Sequence, residues 1–208
     1  MASGTDGIRH GSCRTRTERF AVLLEFVILY AAVLAASLGL YFATGLVLER
    51  LNARHPERRI QPGRDGLRRR GEDIRASLSA LAVSALLLTA GWFAQRQGWT
   101  PAPVAASWWS VPVFFVICML IFDAWFYFGH RLLHLPGLYR FHALHHKAVA
   151  PSAWSNDCST TVDTLIEHGF YLVIWFVLPV PALSVIALRI FDQLSGMIGH
   201  SGYEYFAG

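Results

Sequence analysis

The sequence predicts an all-α integral membrane protein with about four transmembrane or re-entrant helical segments and a cytosolic, histidine-rich cap. Of its 208 residues, 54% are apolar and only 15% are charged, and the mean hydropathy is +0.38, which is untypical of a soluble domain. Long apolar runs alternate with arginine-rich segments. Five of the nine histidines lie between His130 and His146, directly after one of these runs.

The first segments are a polar tail at residues 1–19 and an apolar run at 20–48, which opens a single membrane-embedded domain at 20–208. The run exceeds the roughly 7–15 apolar residues of a signal peptide, so we interpret it as a retained transmembrane helix. Glu25 lies near one end, within reach of lipid headgroups. A hairpin within 20–48 stays open as an alternative, and with it the orientation of the N-terminus.

Nine arginines occupy residues 49–75, and the positive-inside rule predicts that this loop is cytoplasmic. A second span is predicted at about 76–93, where small residues favour close helix packing, and a third at about 111–134. Alternation then places the histidines on the same side as the arginines. No motif that reads nucleic acid accompanies the basic residues, so we expect no nucleic-acid partner.

A proline-broken hairpin is predicted in the last third of the chain. The apolar segment 165–178 is about 21 Å long as a helix, short of a hydrocarbon core of about 30 Å. Pro179 ends it, and a second segment follows at about 182–200. We expect the pair to enter and leave the membrane on one side, which returns His200 to the first histidines.

The histidine spacing indicates metal binding. His130 and His134 are four residues apart, and His142, His145 and His146 are spaced i, i+3, i+4, so each set can project from one helix face. Imidazoles without thiolates favour iron, zinc or copper, and the three cysteines have no metal-knuckle spacing. Five histidines exceed one ordinary site, so a pair of metals suited to dioxygen activation and attack on an unactivated C–H bond is the economical interpretation.

Other polar residues in apolar segments have less specific roles. Asp123 precedes His130 by seven residues, and we expect it to accept a hydrogen bond from a ligand imidazole or from a nearby arginine, Arg131 or Arg140. A buried polar contact with another helix is the alternative. Arg189 and Asp192 are expected to pair with each other. His168 stays open between an interface histidine and an accessory ligand, whereas His10 and His55 lie in arginine-rich surface segments.

The stretch from Phe122 to Gly208 resembles the fatty acid hydroxylase / sterol desaturase superfamily of integral-membrane, non-haem di-iron enzymes. The resemblance rests on Asp123, HRLLH at 130–134, LYRFHALHHK at 138–147 and GHSGYE at 199–204. It implies two iron ions, with zinc as a possible substitute, O2 as oxidant, an external electron donor, and a sterol or fatty acyl lipid that is hydroxylated or desaturated. The metal ligands it implies are His130, His134, His142, His145, His146 and His200.

Two departures from the family pattern stand out. A third HxxHH box is expected after the GHSGYE region, and the sequence given ends at Gly208, so we expect an incomplete metal site and weak turnover from this chain. Where many members carry His-Pro-x-Glu after the second box, this chain has residues 160–163, of which only Asp163 is acidic. Asp163 is predicted to support a ligand histidine from behind.

A non-catalytic membrane protein for metal binding or electron transfer, with zinc or haem on the same histidines, is the competing interpretation. The sequence does not choose between sterol and fatty acyl substrates, between hydroxylation and desaturation, or among electron donors and oligomeric states. We expect a multi-pass protein of a bacterial inner membrane with its histidine boxes facing the cytoplasm.

Overall fold

The computed structural model describes residues 15–205, which form α-helices joined by loops and short 3-10 turns. Most of the predicted polar tail, including His10 and Cys13, lies outside the described residues. Within the described residues the only β pairing is an isolated bridge between Arg59 and Tyr203. The α-helices are α1 Arg16–Arg54, α2 Arg70–Arg96, α3 Ser110–Leu133, α4 Tyr139–His142, α5 Thr161–His168, α6 Phe170–Val177 and α7 Ala182–Gly199.

Helix α1 is one unbroken helix of 39 residues, so the hairpin alternative within 20–48 is excluded. Thr15 and Glu18 form a capping box at its start, which satisfies backbone N–H groups that the first turn leaves free. At 1.5 Å per residue α1 is about 58 Å long, well beyond a hydrocarbon core of about 30 Å. Glu25 is paired with a basic side chain, because it accepts a hydrogen bond from Arg96 at 2.7 Å.

Helix α2 is the centre of the bundle, packed against α1 on one side and against α5 and α6 on the other. Its small side chains face these neighbours, as the sequence predicts, and Ser77, Ala80 and Ser84 are buried. Close approach is tightest at Gly91, where an added Cβ would run into the indole of Trp175. The small residues of α2 therefore allow α1, α5 and α6 to pack closely against it.

Two apolar clusters hold the bundle together. One lies between α2, α3, α6 and α7 and includes Phe122, Trp175 and Leu188. The other lies between α1, α2 and α7 and surrounds Trp154, whose backbone carbonyl accepts a hydrogen bond from the hydroxyl of Tyr41 at 2.8 Å.

The arginine-rich loop and the histidines lie at the same end of the bundle, as predicted. Arg59 donates to the hydroxyl of Tyr203 at 3.1 Å, and Arg64 donates to the carbonyl of Val149 at 3.4 Å. These contacts join the α1–α2 loop to the segment that follows the histidines. Which side of the membrane this end faces stays a prediction.

The predicted hairpin is present, with α5 and α6 as one arm and α7 as the other. Its tip reaches the end of the bundle remote from the histidines: the Pro179 carbonyl accepts from Val104 N–H, and the Val180 carbonyl accepts from the Gln95 amide, both at 2.9 Å. The first arm gains length because α5 begins at Thr161, four residues before the predicted segment. How deeply the hairpin enters a bilayer stays a prediction.

Four of the described helices are long and apolar enough to cross a membrane, namely α1, α2, α3 and α7. The third predicted span, at 111–134, agrees with α3 to within one residue at each end. The predicted fold class, an all-α membrane protein with about four spanning segments, is confirmed.

Candidate metal centre

The last turn of α3 delivers the first histidine pair. His130 and the C-cap residue His134 are four residues apart, so their rings lie on one face of the helix. Pro136 cannot continue the helix, and Gly137 turns the chain with φ of +88°, a conformation that favours glycine. This turn reverses the chain, so that the short α4 carries His142 back toward the end of α3.

Four imidazoles meet at this point: His130, His134, His142 and His146. One nitrogen from each ring lies within 4.8 Å of the corresponding nitrogens of the others. The Nε2 atom of His134 is 3.2 Å from the Nε2 atoms of both His130 and His146. His142 is buried at the base of the group, and its ring centre is 4.4 Å from that of His130.

Two carboxylates of α5 fix the orientation of two of these rings. His142 donates from Nδ1 to Asp163 at 2.9 Å, and His130 donates from Nδ1 to Glu167 at 2.9 Å. Asp163 and Glu167 are four residues apart, so one face of α5 presents both. In the tautomer that donates from Nδ1 to these carboxylates, each Nε2 keeps its lone pair for a ligand.

Helix α5 is itself tied to α4. The hydroxyl of Thr160 accepts from the backbone N–H of Asp163 as the N-cap of α5, and it donates to the carbonyl of Phe141 at 2.8 Å. One side chain therefore sets the position of the carboxylates relative to His142.

Burial and charge at the site favour neutral imidazoles. Burial, with neighbouring imidazoles, lowers the pKa of His142 to about 4. Burial, with His200 beside it, lowers the pKa of His145 to about 4. Both rings are neutral near pH 7, which is the form that binds metals. Burial also raises the pKa of Glu167, and the nearby Asp163 raises it further, so a bound cation would stabilise the two carboxylates together.

His145 departs from the predicted arrangement. The prediction that His142, His145 and His146 lie on one helix face is wrong, because α4 ends at His142 and a separate 3-10 turn holds His145–Lys147. His145 consequently turns toward His200, and their ring centres are 5.3 Å apart. The Nδ1 of His200 donates to the Gly196 carbonyl at 2.9 Å, which leaves its Nε2 free. Within the described residues, His200 approaches the other histidines through His145.

Asp123 and His168 lie outside the histidine cluster. No hydrogen bond joins Asp123 to a histidine, to Arg131 or to Arg140 within the described residues, and Arg131 donates to the hydroxyl of Tyr127 instead. The structure therefore gives Asp123 none of the hydrogen bonds that the sequence predicts for it. His168 bonds through Nδ1 to the hydroxyl of Ser84 at 2.8 Å, as an interface histidine between α5 and α2 would.

Glu167 is the functional residue that sequence reasoning overlooked. Its signal was present: it follows Asp163 by four residues, and both precede an apolar run. The acid that the sequence did single out, Asp163, lies where a supporting carboxylate is expected, fully buried against His142.

The donor set fits a transition metal. The Nε2 of His142 is buried without a hydrogen-bond partner, although buried polar atoms are normally paired. A proton on Nε2 of His134 can be donated to Nε2 of His130 or to Nε2 of His146, but not fully to both. A single cation can bind the lone pairs of all of these nitrogens. A flat haem macrocycle cannot pass between four nitrogens within 4.8 Å of one another, so the cluster fits a bare ion of iron, zinc or copper.

A cavity of about 340 Å³ adjoins the histidines and runs between α3, α5 and α7. His145, His200 and Glu167 form its wall at the histidine end. Apolar side chains of α3 and α7, including Phe122 and Leu188, form much of the remaining wall. A small molecule in this cavity would lie next to the candidate metal ligands.

The matches to known proteins agree with one another. Residues 115–208 match the family described as "Fatty acid hydroxylase". Over 108 residues, 47% of this chain and 36% of the relative, the sequence is 32% identical to methylsterol monooxygenase 1 of Gallus gallus. Over 128 residues, 51% of this chain and 38% of the relative, it is 31% identical to a methylsterol monooxygenase of Aspergillus fumigatus.

A third relative, the Delta(7)-sterol 5(6)-desaturase of Gibberella zeae, is 29% identical over 92 residues, which are 44% of this chain and 26% of the relative. The chain thus spans between about a quarter and two fifths of the length of these curated relatives. No solved structure matches it. The resemblance predicted from the histidine motifs is confirmed.

Proposed function

We propose that this chain is a membrane-bound, non-haem iron oxidoreductase that uses O2 to hydroxylate or desaturate a lipid, because its residues 115–208 match the fatty acid hydroxylase family. The proposed substrate is of the sterol or fatty acyl type, and the curated relatives favour an oxidation of this kind. Electrons come from an external donor.

One observation carries the proposal: four imidazole nitrogens converge within 4.8 Å, and one of them, Nε2 of His142, is buried without a partner. His130, His134, His142 and His146 are the residues that would hold one ion. His145 and His200 would contribute to a second, which agrees with the two irons implied by the family resemblance. Bound iron would supply the reduction of dioxygen that cleavage of an unactivated C–H bond requires.

The overall reaction sets what the site must handle. Hydroxylation breaks one C–H bond, places one oxygen atom on the carbon, and reduces the other oxygen atom to water with two electrons and two protons. Desaturation removes two hydrogen atoms from adjacent carbons and, with the same two electrons and two protons, yields two molecules of water. Either reaction needs an electron donor that reaches the histidine end from the aqueous side.

The protein's own side chains orient and protect this site. Asp163 and Glu167 hold the rings of His142 and His130 through Nδ1, which directs their Nε2 atoms inward. The cavity beside His145 has apolar side chains of α3 and α7 in its wall, so a lipid that fills it would exclude water from the reacting carbon. The nine arginines at 49–75 support a cytoplasmic orientation for this end.

The proposal is tested by metal analysis of the full chain purified in detergent, together with a search for oxidised lipid under labelled dioxygen. We expect bound iron, and we expect His142→Ala to lose the ion of the four-histidine cluster while the helix content is retained. His55→Ala is the matched control, because His55 pairs with Glu57 on the surface away from the cluster.

Iron that is present with label incorporated into lipid, or into water together with a new double bond, supports the proposal. Bound zinc without any lipid oxidation would favour the non-catalytic metal-binding alternative. A Soret absorption band would favour haem. Equal iron in the parent, His142→Ala and His55→Ala proteins would overturn the assignment of the cluster.

A further inference from the structure

A second cavity, of about 270 Å³, lies at the histidine end of the bundle and shares no lining residue with the one beside His145. Its wall is formed by the last turns of α1, the α1–α2 loop, residues 150–154 and residues on both sides of His200. The volume is near the lower end of the range for small-molecule sites. The cavity therefore suits a compact polar group rather than a whole lipid.

Two arginines of the α1–α2 loop line this cavity, and neither has a carboxylate partner within residues 15–205. Arg59 donates from Nε to the hydroxyl of Tyr203 at 3.1 Å and from Nη1 to the carbonyl of Arg64 at 3.5 Å. Arg64 donates from Nη1 to the carbonyl of Val149 at 3.4 Å. Since all of these acceptors are neutral, the fold holds two positive charges at one cavity and leaves both without a counter-charge.

The other polar groups of the wall do not supply that counter-charge. Glu49 is the one acid that lines the cavity in the described part of the chain, and its carboxylate accepts from the indole of Trp154 at 2.7 Å and pairs with Arg70 at 3.3 Å. Ser152 is only 6% exposed, and its hydroxyl proton has no acceptor among the described residues. An anion in the cavity would therefore meet two guanidinium groups and one hydroxyl donor.

Charge pairs along α1 indicate where the cavity lies relative to a bilayer. Glu25 accepts from Arg96 at 2.7 Å and Glu49 pairs with Arg70, so an arginine of α2 matches each acid. Glu49 follows Glu25 by 24 residues, about 36 Å of helix, and no charged residue lies between them. This distance slightly exceeds a hydrocarbon core of about 30 Å. The cavity, which begins at Gly45, therefore opens at the level of the lipid headgroups.

The rim of the cavity is apolar on the side of the α1–α2 loop. Ile60 and Leu67 line the cavity, and their side chains are 62% and 41% exposed. Exposed apolar side chains beside arginines are typical of protein surfaces that lie in the interface of an anionic membrane. The rim therefore favours a ligand that is itself part of the membrane.

We propose that this cavity is a binding site for a phosphate group, which Arg59 and Arg64 hold through the paired N–H donors that a guanidinium group offers to phosphate oxygens. The depth and the rim favour the headgroup of an anionic phospholipid as the source of that phosphate. Bound phosphate would tie the α1–α2 loop to the residues on both sides of His200. The site requires neither metal nor turnover, so it goes beyond the proposed oxidoreductase function.

Thermal unfolding of the full chain in detergent tests the site, with phosphatidylglycerol, phosphatidylcholine or inorganic phosphate added. In phosphatidylcholine an ammonium group of the same headgroup balances the phosphate charge. At a concentration ten times its dissociation constant, we expect phosphatidylglycerol to raise the midpoint by about 3–6 °C, and phosphatidylcholine to have a smaller effect. Hydrogen exchange on the same samples should slow in peptides that cover residues 59–67 and 199–203.

Three variants in the α1–α2 loop separate a built site from general attraction to anionic lipid. Arg59→Gln and Arg64→Gln should each weaken phosphatidylglycerol binding about tenfold and remove most of the shift. Arg64 is exposed, so its variant should keep the helix content and the lipid-free midpoint of the parent. Arg68→Gln is the matched control, because it removes the same charge from an exposed residue of this loop that does not line the cavity.

A shift with inorganic phosphate alone that Arg59→Gln and Arg64→Gln both remove would support the site, with free phosphate as its source. The proposal is overturned if neither phosphatidylglycerol nor phosphate shifts the parent, or if the shift survives in both arginine variants. Equal losses in Arg64→Gln and Arg68→Gln would overturn it as well, by showing attraction to the loop as a whole. A chain that binds phosphatidylglycerol but no iron would contradict the proposed oxidoreductase function and leave this site in place.

Discussion

Glu167 accepts a hydrogen bond from Nδ1 of His130 at 2.9 Å, across 37 residues of sequence. The contact joins the end of α3 to α5 and decides which nitrogen of His130 faces the cluster. It leads to the first prediction. Glu167→Gln should weaken metal binding about 10-fold or more, because a carboxylate behind a ligand histidine fixes the ring and raises its basicity.

Competition with a chelator of known affinity measures this effect, and Glu57→Gln, which alters an exposed acid, is the control. The assignment of Glu167 is lost if the two variants bind metal equally well.

The second prediction concerns His145 and His200, whose rings face each other. Replacing either by alanine should reduce the metal content to the same extent, and the double variant should lose no more than either single variant, because the two residues serve one site. The ion held by the four-histidine cluster should remain. Metal stoichiometry per chain checks this, with His146→Ala as the comparison that should affect the cluster itself. Additive losses in the double variant would show that the two histidines act separately.

The third prediction concerns orientation. A thiol at Val149, which is 65% exposed at the histidine end, should escape a membrane-impermeant reagent added to intact cells, whereas one at Ala105 should react. The background chain carries Cys13→Ser, and Cys118 and Cys158 are buried. After permeabilisation the thiol at Val149 should react, which controls for its accessibility. Reaction at Val149 but not at Ala105 in intact cells would mean that the protein is inverted.

The fourth prediction concerns packing in the centre of the bundle. Gly91→Ala should destabilise the protein by about 1–3 kcal/mol, since the new methyl group meets the buried indole of Trp175 in a tightly packed core. Gly39→Ala in α1 is a matched control with no atom near its added methyl group, and it should be neutral or slightly stabilising. Thermal unfolding in detergent measures both. Equal midpoints for the two variants would contradict the close approach of α2 and α6.

Much of the fold could be predicted because apolar length and proline positions determine it. The bounds of α3 follow from hydropathy, and the hairpin tip follows from Pro179. The departure of His145 from the group formed by His142 and His146 could not be predicted in this way. Helical spacing assumes one continuous helix, but the chain leaves the α-helix after His142 and a 3-10 turn aims the next ring elsewhere. Glu167 was overlooked because an acid next to a histidine in a short helix gives no periodic signal of its own.

The contact between Arg59 and Tyr203 has a consequence for the order of assembly during synthesis. The two residues are 144 positions apart, so the α1–α2 loop must wait for almost the whole described chain before its partner exists. Until the residues after α7 are in place, the α1–α2 loop lacks its contact with Tyr203. This contact is therefore expected to form late, after membrane insertion of the helices that precede it.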